Sequence, residues 1–444
     1  MKKLLLSIIP AVVFSQSFMV SNIPLPKTYI QNLDPYECDD DCMQEYLDND
    51  MIFSFLANAD KKLSNKELDE VRSMNVSILN LGAFNASGTL KIAMLLPYNK
   101  IGKYAASTTN AAFAYLMTKS NPFMLKSYKV ESESIDDLSE AFNRIKEDGF
   151  EYVIAPLTQE GVKNVINMDP DLNIYFPTVN KKDVEASSAY LTFGGIDYAA
   201  QSDVLLKEAV SPLIIFSDKS PTGKKLALYQ EDKFLHPNKT QEVQEEASIF
   251  DSLFGNELVV EEPQTPEVTP TPEDDNATQQ EVIKFFISRR TTNLEHYLKE
   301  NEEIVNGSFF VNTPIIKTGM ILSQLTLYDA NATNVLSTQI NYDPLLLSMT
   351  QYVDRKDMIV ANSITKNNNV VIETNSLLGN DIVYDWINYT TTVGVDYFYN
   401  IITGEDKEYV VDIIDNQMIY DIELLQPSKS RFIKYISLFK EGED

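Results

Sequence analysis

Between Lys91 and Thr178 the sequence alternates short apolar runs with longer amphipathic segments, and this alternation strongly constrains the fold. The short runs end at proline, glycine or polar turns and are too brief for helices, so they predict buried strands. These predicted strands are Lys91–Leu96, Phe123–Val130, Tyr152–Ala155 and Asn173–Phe176. Helices are predicted between them at Tyr104–Leu116, Ile135–Lys146 and Gln159–Ile166. Strands and helices that alternate in this way form right-handed βαβ units and a parallel sheet, which places the chain in the α/β class.

Ligands of parallel α/β sheets bind beyond the carboxyl ends of the strands. In this chain that rule points to three loops. One contains Tyr98 and Asn99, the second is the 156–159 turn with Thr158 and Gln159, and the third is 178–180.

Further strands and helices follow, and from Pro212 onward they predict a second α/β lobe. A strand at Ala189–Phe193 leads through a Gly194–Asp197 turn into a helix at Tyr198–Val210, and Pro212–Phe216 is again a buried strand. We therefore predict parallel sheets flanked by helices in two lobes. The first lobe is 89–211, the second is 212–236 with 281–400, and 401–444 forms C-terminal strands.

The first residues have the three parts of a secretory signal peptide. Lys2 and Lys3 give a basic start, Leu4–Phe14 is an apolar core, and small residues follow around Ser15–Ser17. This core is too short to span a bilayer as a membrane helix. We predict that residues 1–17 are removed on export and that the mature chain has no integral membrane segment.

The chain has two cysteines, Cys38 and Cys42, in a preface of residues 18–88 that is extended and then helical. An exported protein enters an oxidising compartment, so we predict that these two thiols form a disulfide. A metal site is the alternative, but C-x3-C lacks the second pair of ligands that a zinc site needs. The helices of the preface are predicted at Cys38–Ala57 and Asn65–Ser73.

Residues 237–280 interrupt the α/β pattern with an acidic, proline-rich insert. It has no Lys or Arg after Thr240, and prolines recur between Glu261 and Glu281. Such a composition cannot bury enough apolar surface to offset the entropy of ordering the chain. We predict that the insert is disordered, with one candidate helix at Glu242–Phe254.

The formal net charge of −28 narrows the range of partners. Nucleic acids and anionic membrane surfaces carry negative charge, and a strongly acidic protein surface repels both. We therefore predict no nucleic-acid partner.

The sequence has no pattern typical of a catalytic or metal site. Its two histidines, His236 and His296, lie far from any nucleophile motif, and neither G-x-S-x-G nor H-E-x-x-H occurs. The acidic run Asp39–Asp41 lacks the spacing and the glycine of an EF-hand loop. We predict no enzymatic activity, no metal and no cofactor.

Two segments match D-x-N-x-T, the extended sequon of bacterial N-glycosylation. They centre on Asn276, inside the insert, and on Asn331. The transferase needs a flexible, exposed acceptor loop. Two alternatives stay open: the two sites are glycosylated, or the motif occurs by chance in an acidic, asparagine-rich chain. Use would place the protein in the periplasm of a Gram-negative bacterium.

Four short motifs follow one another along the two lobes. They are Ile154–Thr158 (IAPLT), Gly195–Gln201 (GIDYAAQ), Phe216–Leu226 (FSDKSPTGKKL) and the segment from Ile340 to Ser363. In sequence and order they resemble motifs of the type I periplasmic-binding fold over roughly 90–400. This fold occurs in branched-chain amino acid receptors and in the C-terminal domain of LpoA-type activators of penicillin-binding proteins.

The resemblance implies two lobes that close on a ligand by a hinge motion. Seven side chains are then candidates for ligand contact: Tyr98, Asn99, Thr158, Gln159, Asp197, Asp218 and Arg289. The Thr158 hydroxyl and adjacent N–H groups would hold a carboxylate, and Asp218 would accept an ammonium. Two alternatives stay open: Thr158 and Asp218 are simple helix caps, or Arg289 pairs with Asp218 and neutralises the cleft.

Two functions agree with these features. The one that we favour is a non-enzymatic periplasmic interaction, scaffold or regulatory module of the cell envelope, with a protein partner. It is favoured by the preface, by the acidic insert and by Thr222, which stands where the family has a cleft tyrosine. The alternative is a solute-binding receptor of an ABC-type importer, with an amino acid or a similar small molecule as its ligand.

Overall fold

A computed structural model describes residues 30–79, 90–237, 267–268 and 280–437, which divide into two compact units. The helical unit contains 38–79 with the two residues 30 and 31, and the α/β unit contains 32–37 and the later described residues. The predicted signal peptide and nearly all of the predicted insert, with its candidate helix and Asn276, lie outside the described residues.

The helical unit has three helices, in agreement with the helical preface predicted from sequence. They are α1 (Asp40–Asp48), α2 (Ile52–Asn58) and α3 (Lys66–Ile78). Apolar side chains from all three helices form a small core, which contains Met43, Phe55, Leu56, Ala59 and Leu68. The sulfur atoms of Cys38 and Cys42 are bonded at the first turn of α1, where Asp39 accepts a hydrogen bond from the Cys42 N–H.

The α/β unit begins with the repeat that the sequence predicted. Its strands are β1 (Leu90–Leu96), β2 (Phe123–Lys129), β3 (Tyr152–Ile154), β4 (Asn173–Phe176) and β5 (Leu191–Phe193). Its helices are α4 (Tyr98–Ile101), α5 (Lys103–Met117), α6 (Ile135–Glu147) and α7 (Gln159–Met168). The strands pair in parallel in the order β5-β4-β3-β1-β2.

The chain then crosses to a second sheet. The strands there are β6 (Leu213–Asp218), β7 (Glu267–Val268), β8 (Val282–Ile287), β9 (Ser308–Asn312), β10 (Asn334–Ser337) and β11 (Met358–Asn362). The helices there are α8 (Tyr198–Leu206), α9 (Pro221–Leu235), α10 (Glu295–Leu298), α11 (Ile315–Leu327), α12 (Pro344–Met349) and α13 (Tyr352–Arg355). Strands β8, β6, β9, β10 and β11 are parallel neighbours in that order.

One part of the sequence-predicted insert departs from the expectation of disorder. Glu267 and Val268 form β7, which pairs antiparallel with Ile283 and Lys284 at the edge of the second sheet. A few main-chain hydrogen bonds to an existing edge strand can hold a short segment whose composition gives it no core of its own.

The C-terminal quarter of the chain corrects the predicted lobe boundaries. After β11 the chain returns to the first lobe as α14 (Asn369–Leu377), α15 (Trp386–Thr403), β12 (Asp412–Ile414) and β13 (Gln417–Ile419). It then crosses once more to add β14 (Glu423–Pro427) and β15 (Phe432–Lys434) to the second sheet. The assignment of 281–400 to the second lobe was therefore wrong for α14 and α15, and the assignment of 89–211 to the first lobe was wrong for α8. The C-terminal strands belong to both sheets. Hydrophobic periodicity marks a buried helix but does not say which sheet covers it.

The first sheet is covered on both faces, as a parallel sheet requires. Alternate residues of β1 point to opposite sides. Ile92 and Met94 belong to the core that includes α5 and α15, whereas Ala93 and Leu95 pack with α6 and α7. Within the described ranges, none of the helices is long and apolar enough to cross a bilayer.

Candidate functional site

Thr158 lies where the sequence predicted, at the carboxyl end of β3 and at the N-cap of α7. Its extended backbone lets its hydroxyl oxygen accept a hydrogen bond from the Gly161 N–H at 3.4 Å. Thr158 and Gln159 are each 4% exposed, so the head of this helix is closed to solvent.

A carboxylate already occupies the head of α7, and it belongs to the chain. Glu133, which is 3% exposed, accepts hydrogen bonds from the main-chain N–H of Thr158 at 2.8 Å and from its hydroxyl. A Cβ atom on Gly161 would stand 2.7 Å from Glu133 Cδ, so only glycine leaves room for this group. The donors that sequence reasoning offered to a ligand thus bind Glu133.

The neighbouring side chains continue this pattern of internal contacts. Gln159 donates from its amide nitrogen to the carbonyl oxygen of Asp183. The carboxylate of Asp183 accepts from Lys225 Nζ on α9 at 2.9 Å, which joins the first lobe to the second. Beside them, Lys182 forms an ion pair with Asp197, and Asp197 caps α8 through the Ala200 N–H at 2.8 Å.

The head of α9, in the second lobe, repeats the arrangement at the head of α7. Asp218, at the end of β6, accepts from the Ser220 N–H at 3.2 Å and from the Ser220 hydroxyl. Ser220 is the N-cap, and its oxygen accepts from the Gly223 N–H at 3.0 Å. A Cβ on Gly223 would stand 2.2 Å from Asp218 Oδ1. Ser220 therefore caps α9, and Asp218 bonds to the N-cap residue itself.

Tyr98 and Asn99 make contacts of their own. The Tyr98 ring lies 5.9 Å from that of Tyr36, and burial, followed by the nearby charge of Asp34, raises the Tyr98 pKa to about 12. Asn99 donates from its amide nitrogen to the main-chain oxygen of Glu131 at 2.9 Å. These contacts border a shallow exterior groove of about 300 Å³ at the edge of the first sheet.

Arg289 and Asn331 are both exposed. Among the described residues, Arg289 forms no ion pair with Asp218, so the proposed self-neutralised pair is not formed. Asn331 lies in the loop before β10 with a φ of 44°, and the Thr333 hydroxyl of the same sequon donates to the Asn306 carbonyl at 2.6 Å.

An apolar cluster closes the space between the lobes. Ile196, Tyr198 and Leu226 are buried in it, and partly buried side chains surround them. The surrounding residues are Ile340, Trp386 and Tyr420. The rings of Tyr198 on α8 and Trp386 on α15 meet edge to face, with their centroids 6.3 Å apart. We call these six residues the interlobe cluster.

Aromatic side chains extend the contact between the lobes. Tyr384, which precedes α15, lies 5.0 Å from Tyr342 of the second lobe, and Tyr342 in turn lies 4.9 Å from Phe432 on β15. Through such contacts one continuous hydrophobic core includes Ile92 of the first sheet and Phe216 of the second.

Sequence reasoning missed a network of buried amides at the carboxyl edge of the second sheet. Gln201 donates to Gln339 at 3.1 Å and to Ser363 at 2.8 Å. Gln230 and Asn312 exchange hydrogen bonds at 3.1 and 2.6 Å. A buried amide is satisfied only by partners at a suitable distance, and these partners are far apart in sequence.

Two further carboxylates lie in the first lobe, where Asp396 is buried and Asp385 is partly buried. Asp385 caps α15 through the N–H groups of Ile387 and Asn388, and burial raises its pKa to about 6. Burial also raises the pKa of Asp396, whose carboxylate accepts from the Tyr115 hydroxyl at 2.5 Å. In the part of the chain that the structure describes, no three His, Cys, Asp or Glu side chains are placed to share a metal ion.

Comparison with solved structures identifies the fold. A branched-chain amino acid ABC transporter periplasmic ligand-binding protein from Burkholderia xenovorans aligns with a TM-score of 0.51 at 8% identity, over 78% of this chain and 95% of that one. An amino acid ABC transporter substrate-binding protein from Pseudomonas fluorescens aligns with a TM-score of 0.50 at 10% identity, over 80% and 97%. The chain has a type I periplasmic-binding fold.

A weaker similarity is to the C-domain of LpoA from Haemophilus influenzae, described as a regulator of PBP1A. It has a TM-score of 0.47 and 8% identity, over 78% of this chain and all of that one. No protein-family model matches the sequence. A comparison with curated protein sequences finds no relative. At such low identities the solved structures establish the periplasmic-binding fold of this chain and nothing about its ligand.

Proposed function

We propose that this protein is a non-enzymatic, exported module of the cell envelope that acts through protein contacts and not through a ligand in its cleft. The interlobe cluster carries the proposal. Its side chains come from both lobes and from the segments that cross between them, and they pack together where the two lobes meet.

Opening the cleft would be costly. A ligand would have to separate the Tyr198 and Trp386 rings and expose Leu226, at about 25 cal/mol for each Å² of apolar surface returned to water. It would also have to break the ion pair of Lys225 with Asp183 and desolvate its own charges. The head of α7 offers no compensation because Glu133 holds its donors.

The proposal includes an envelope location, which rests on the sequence. The basic and apolar start predicts export, export favours the disulfide of Cys38 with Cys42, and the sequons at Asn276 and Asn331 suggest a periplasm with a glycosylation pathway. Mass spectrometry of the protein from the periplasm tests the export and the disulfide. We expect loss of residues 1–17 and no free thiol. An intact Met1 or two free thiols would contradict the proposed location.

Thermal shift measurements test the function. We expect that the twenty amino acids and a library of small metabolites, each at 1 mM, leave the Tm of the full mature protein unchanged. A ligand present at a hundred times its Kd would stabilise the protein by about 2.7 kcal/mol, which moves the Tm by several degrees.

A clear shift with any one compound would contradict the proposal and favour the alternative, a solute receptor of an ABC-type importer. The Trp386→Ala variant provides a control because it removes a side chain of the interlobe cluster. If ligands shift the Tm of this variant but not that of the unmodified protein, the cluster is what excludes them.

A further inference from the structure

We propose that two copies of this chain pair in solution through the outer face of α11 and of the two short helices beside it, α12 and α13. The inference goes beyond the proposed function and does not depend on whether the cleft takes a ligand. It starts from the sequence of α11, IIKTGMILSQLTL, in which Lys317 is the one charged residue. Lys317 is partly buried and donates to the main-chain oxygen of Thr291 at 2.6 Å. A helix that is apolar on nearly every side is normally buried on every side.

One side of α11 is nevertheless exposed. Ile321, Leu322 and Leu325 belong to the hydrophobic core. By the period of a helix, Ile316 and Leu327 lie on the opposite side, where they are 58% and 67% exposed. α12 and α13 pack against α11 and add four apolar side chains that are between 36% and 49% exposed, namely Leu345, Met349, Tyr352 and Val353. We call Ile316, Leu327 and these four residues the apolar face.

The apolar face is continuous and large. Met349 joins α12 to α11, because its methyl group lies 2.7 Å from the position that a Cβ on Gly319 would take. Together the six side chains expose on the order of 600 Å², and each partner in a stable interface of standard size contributes roughly 800 Å². Single exposed apolar residues are ordinary on a protein surface, but a patch of this size marks an interaction site.

The apolar face can lose its water at little cost. The exposed hydroxyl residues of α11 and α12, which are Ser323, Thr326 and Ser348, donate to carbonyl oxygens of their own helix at 2.9 to 3.4 Å. Asp343 and Asp354 are partly buried and accept main-chain N–H groups at the starts of α12 and α13. These groups keep their partners when the face is buried.

The order of side chains along α11 identifies a second copy as the partner. The outer stripe is Ile316, Met320, Ser323 and Leu327, and its spacing of four, three and four residues is the same from either end. If two copies of α11 lie antiparallel about a two-fold axis, Ile316 faces Leu327 and Met320 faces the small Ser323. α11 has no acidic residue, so copies that each carry a formal net charge of −28 meet there without opposing carboxylates.

Sedimentation velocity of the full mature protein, between about 1 and 100 μM, tests the pairing. We expect a dimer whose fraction rises with concentration. Leu327→Glu should weaken dimerisation at least tenfold, because the two-fold axis buries the new charge in both copies. The matched control is Leu377→Glu on α14, where the leucine is 86% exposed and lies outside the apolar face. This variant should dimerise like the unmodified protein.

Thiol cross-linking tests the antiparallel arrangement. Ser323 lies near the middle of the stripe, so Ser323→Cys should give a covalent dimer with a short bifunctional thiol reagent. Ser376→Cys is the control, because Ser376 is also an exposed helix serine whose hydroxyl donates to its own helix, at 2.9 Å. A dimer that Ser323→Cys does not cross-link more than Ser376→Cys does would overturn the arrangement.

The pairing itself is overturned if the protein is a monomer at every concentration, which would leave the apolar face to a different partner protein. It is also overturned if Leu327→Glu dimerises as tightly as Leu377→Glu, because the dimer would then use another surface. If Leu327→Glu does not fold, Ile316→Glu at the other end of the stripe decides in the same way. A small molecule that binds the cleft of a dimeric protein would refute only the proposed function.

Discussion

The first turns of α7 and α9 share one arrangement, in which a carboxylate bonds to a hydroxyl N-cap residue and a glycine follows three residues later. The two carboxylates come from different distances along the sequence. Asp218 lies two residues before its N-cap and is partly exposed, whereas Glu133 lies 25 residues before Thr158 and is buried. The arrangement at α9 therefore forms within one local segment. The arrangement at α7 forms only after the loop before α6 has packed against α7.

The same arrangement thus depends on neighbouring residues at α9 and on residues distant in sequence at α7. A local carboxylate that loses its contact is hydrated at once, because water reaches the turn. A buried carboxylate that loses its donors has no such replacement, so Glu133 and its partners should depend strongly on one another. Two predictions test this contrast, and two more test a third helix head and the ion pair between the lobes.

The largest effects are expected when the two glycines are replaced by alanine. At Gly223 the new Cβ would meet the Asp218 carboxylate at 2.2 Å and its main-chain oxygen at 2.8 Å, whereas at Gly161 it would meet only side-chain atoms. We expect Gly223→Ala to lower the free energy of unfolding by about 3 kcal/mol and Gly161→Ala by about 2 kcal/mol. Urea unfolding measures both values.

The exposed neighbours Glu160→Ala and Lys224→Ala are controls for these two variants and should change stability by less than about 0.5 kcal/mol. If Gly161→Ala matched its control, the room that Gly161 leaves would not be needed by Glu133.

Loss of the N-cap hydroxyl should lower stability more at the buried Thr158 than at the partly exposed Ser220. Thr158→Ala removes a cap and one donor to a buried carboxylate, and we expect it to lower the free energy of unfolding by about 2 kcal/mol. Ser220→Ala removes the same two contacts where water can enter, and about 1 kcal/mol is expected. Equal losses would mean that the distant origin of Glu133 makes no energetic difference.

Burial raises the pKa of Asp385 more than the N–H groups of the helix that it caps lower it. Its folded pKa, about 6, lies above the ordinary value of 3.8, so the folded state takes up a proton first as the pH falls. Acidification from pH 7 to pH 5 should therefore stabilise the protein relative to Asp385→Asn, by about 1 kcal/mol. Asparagine keeps the cap, and Tm measured against pH for the two proteins isolates this one group. Parallel curves would contradict the raised pKa.

The smallest effect is expected for the ion pair between the lobes. Lys225 and Asp183 are about one-fifth exposed, so Lys225→Met should cost no more than about 1 kcal/mol. The loss should shrink between 0.1 and 1 M salt, where charges are screened. The control is Lys299→Met, which breaks the exposed ion pair of Lys299 with Glu295 and should change stability less. If Lys225→Met and Lys299→Met responded to salt in the same way, the Lys225 pair would not help to hold the lobes together.

The sequence alone predicted the α/β class and the strand and helix order of the first lobe, and it gave a helix cap as one of two interpretations of Thr158. Each of these follows from interactions between residues that are close in the chain. Periodicity reports which face of a segment is buried, and a hydroxyl before an apolar helix satisfies N–H groups two or three residues later.

The tertiary structure alone decided what meets at the candidate site. Nothing near Glu133 in the sequence marks it as the partner of Thr158, and no local pattern joins Lys225 to Asp183 or Tyr198 to Trp386. The lobe that receives α15 was predicted wrongly, because the sequence does not show where the chain crosses between the sheets. Such contacts depend on the packing of elements that are distant in sequence, and a buried polar group is stable only where that packing supplies its partner.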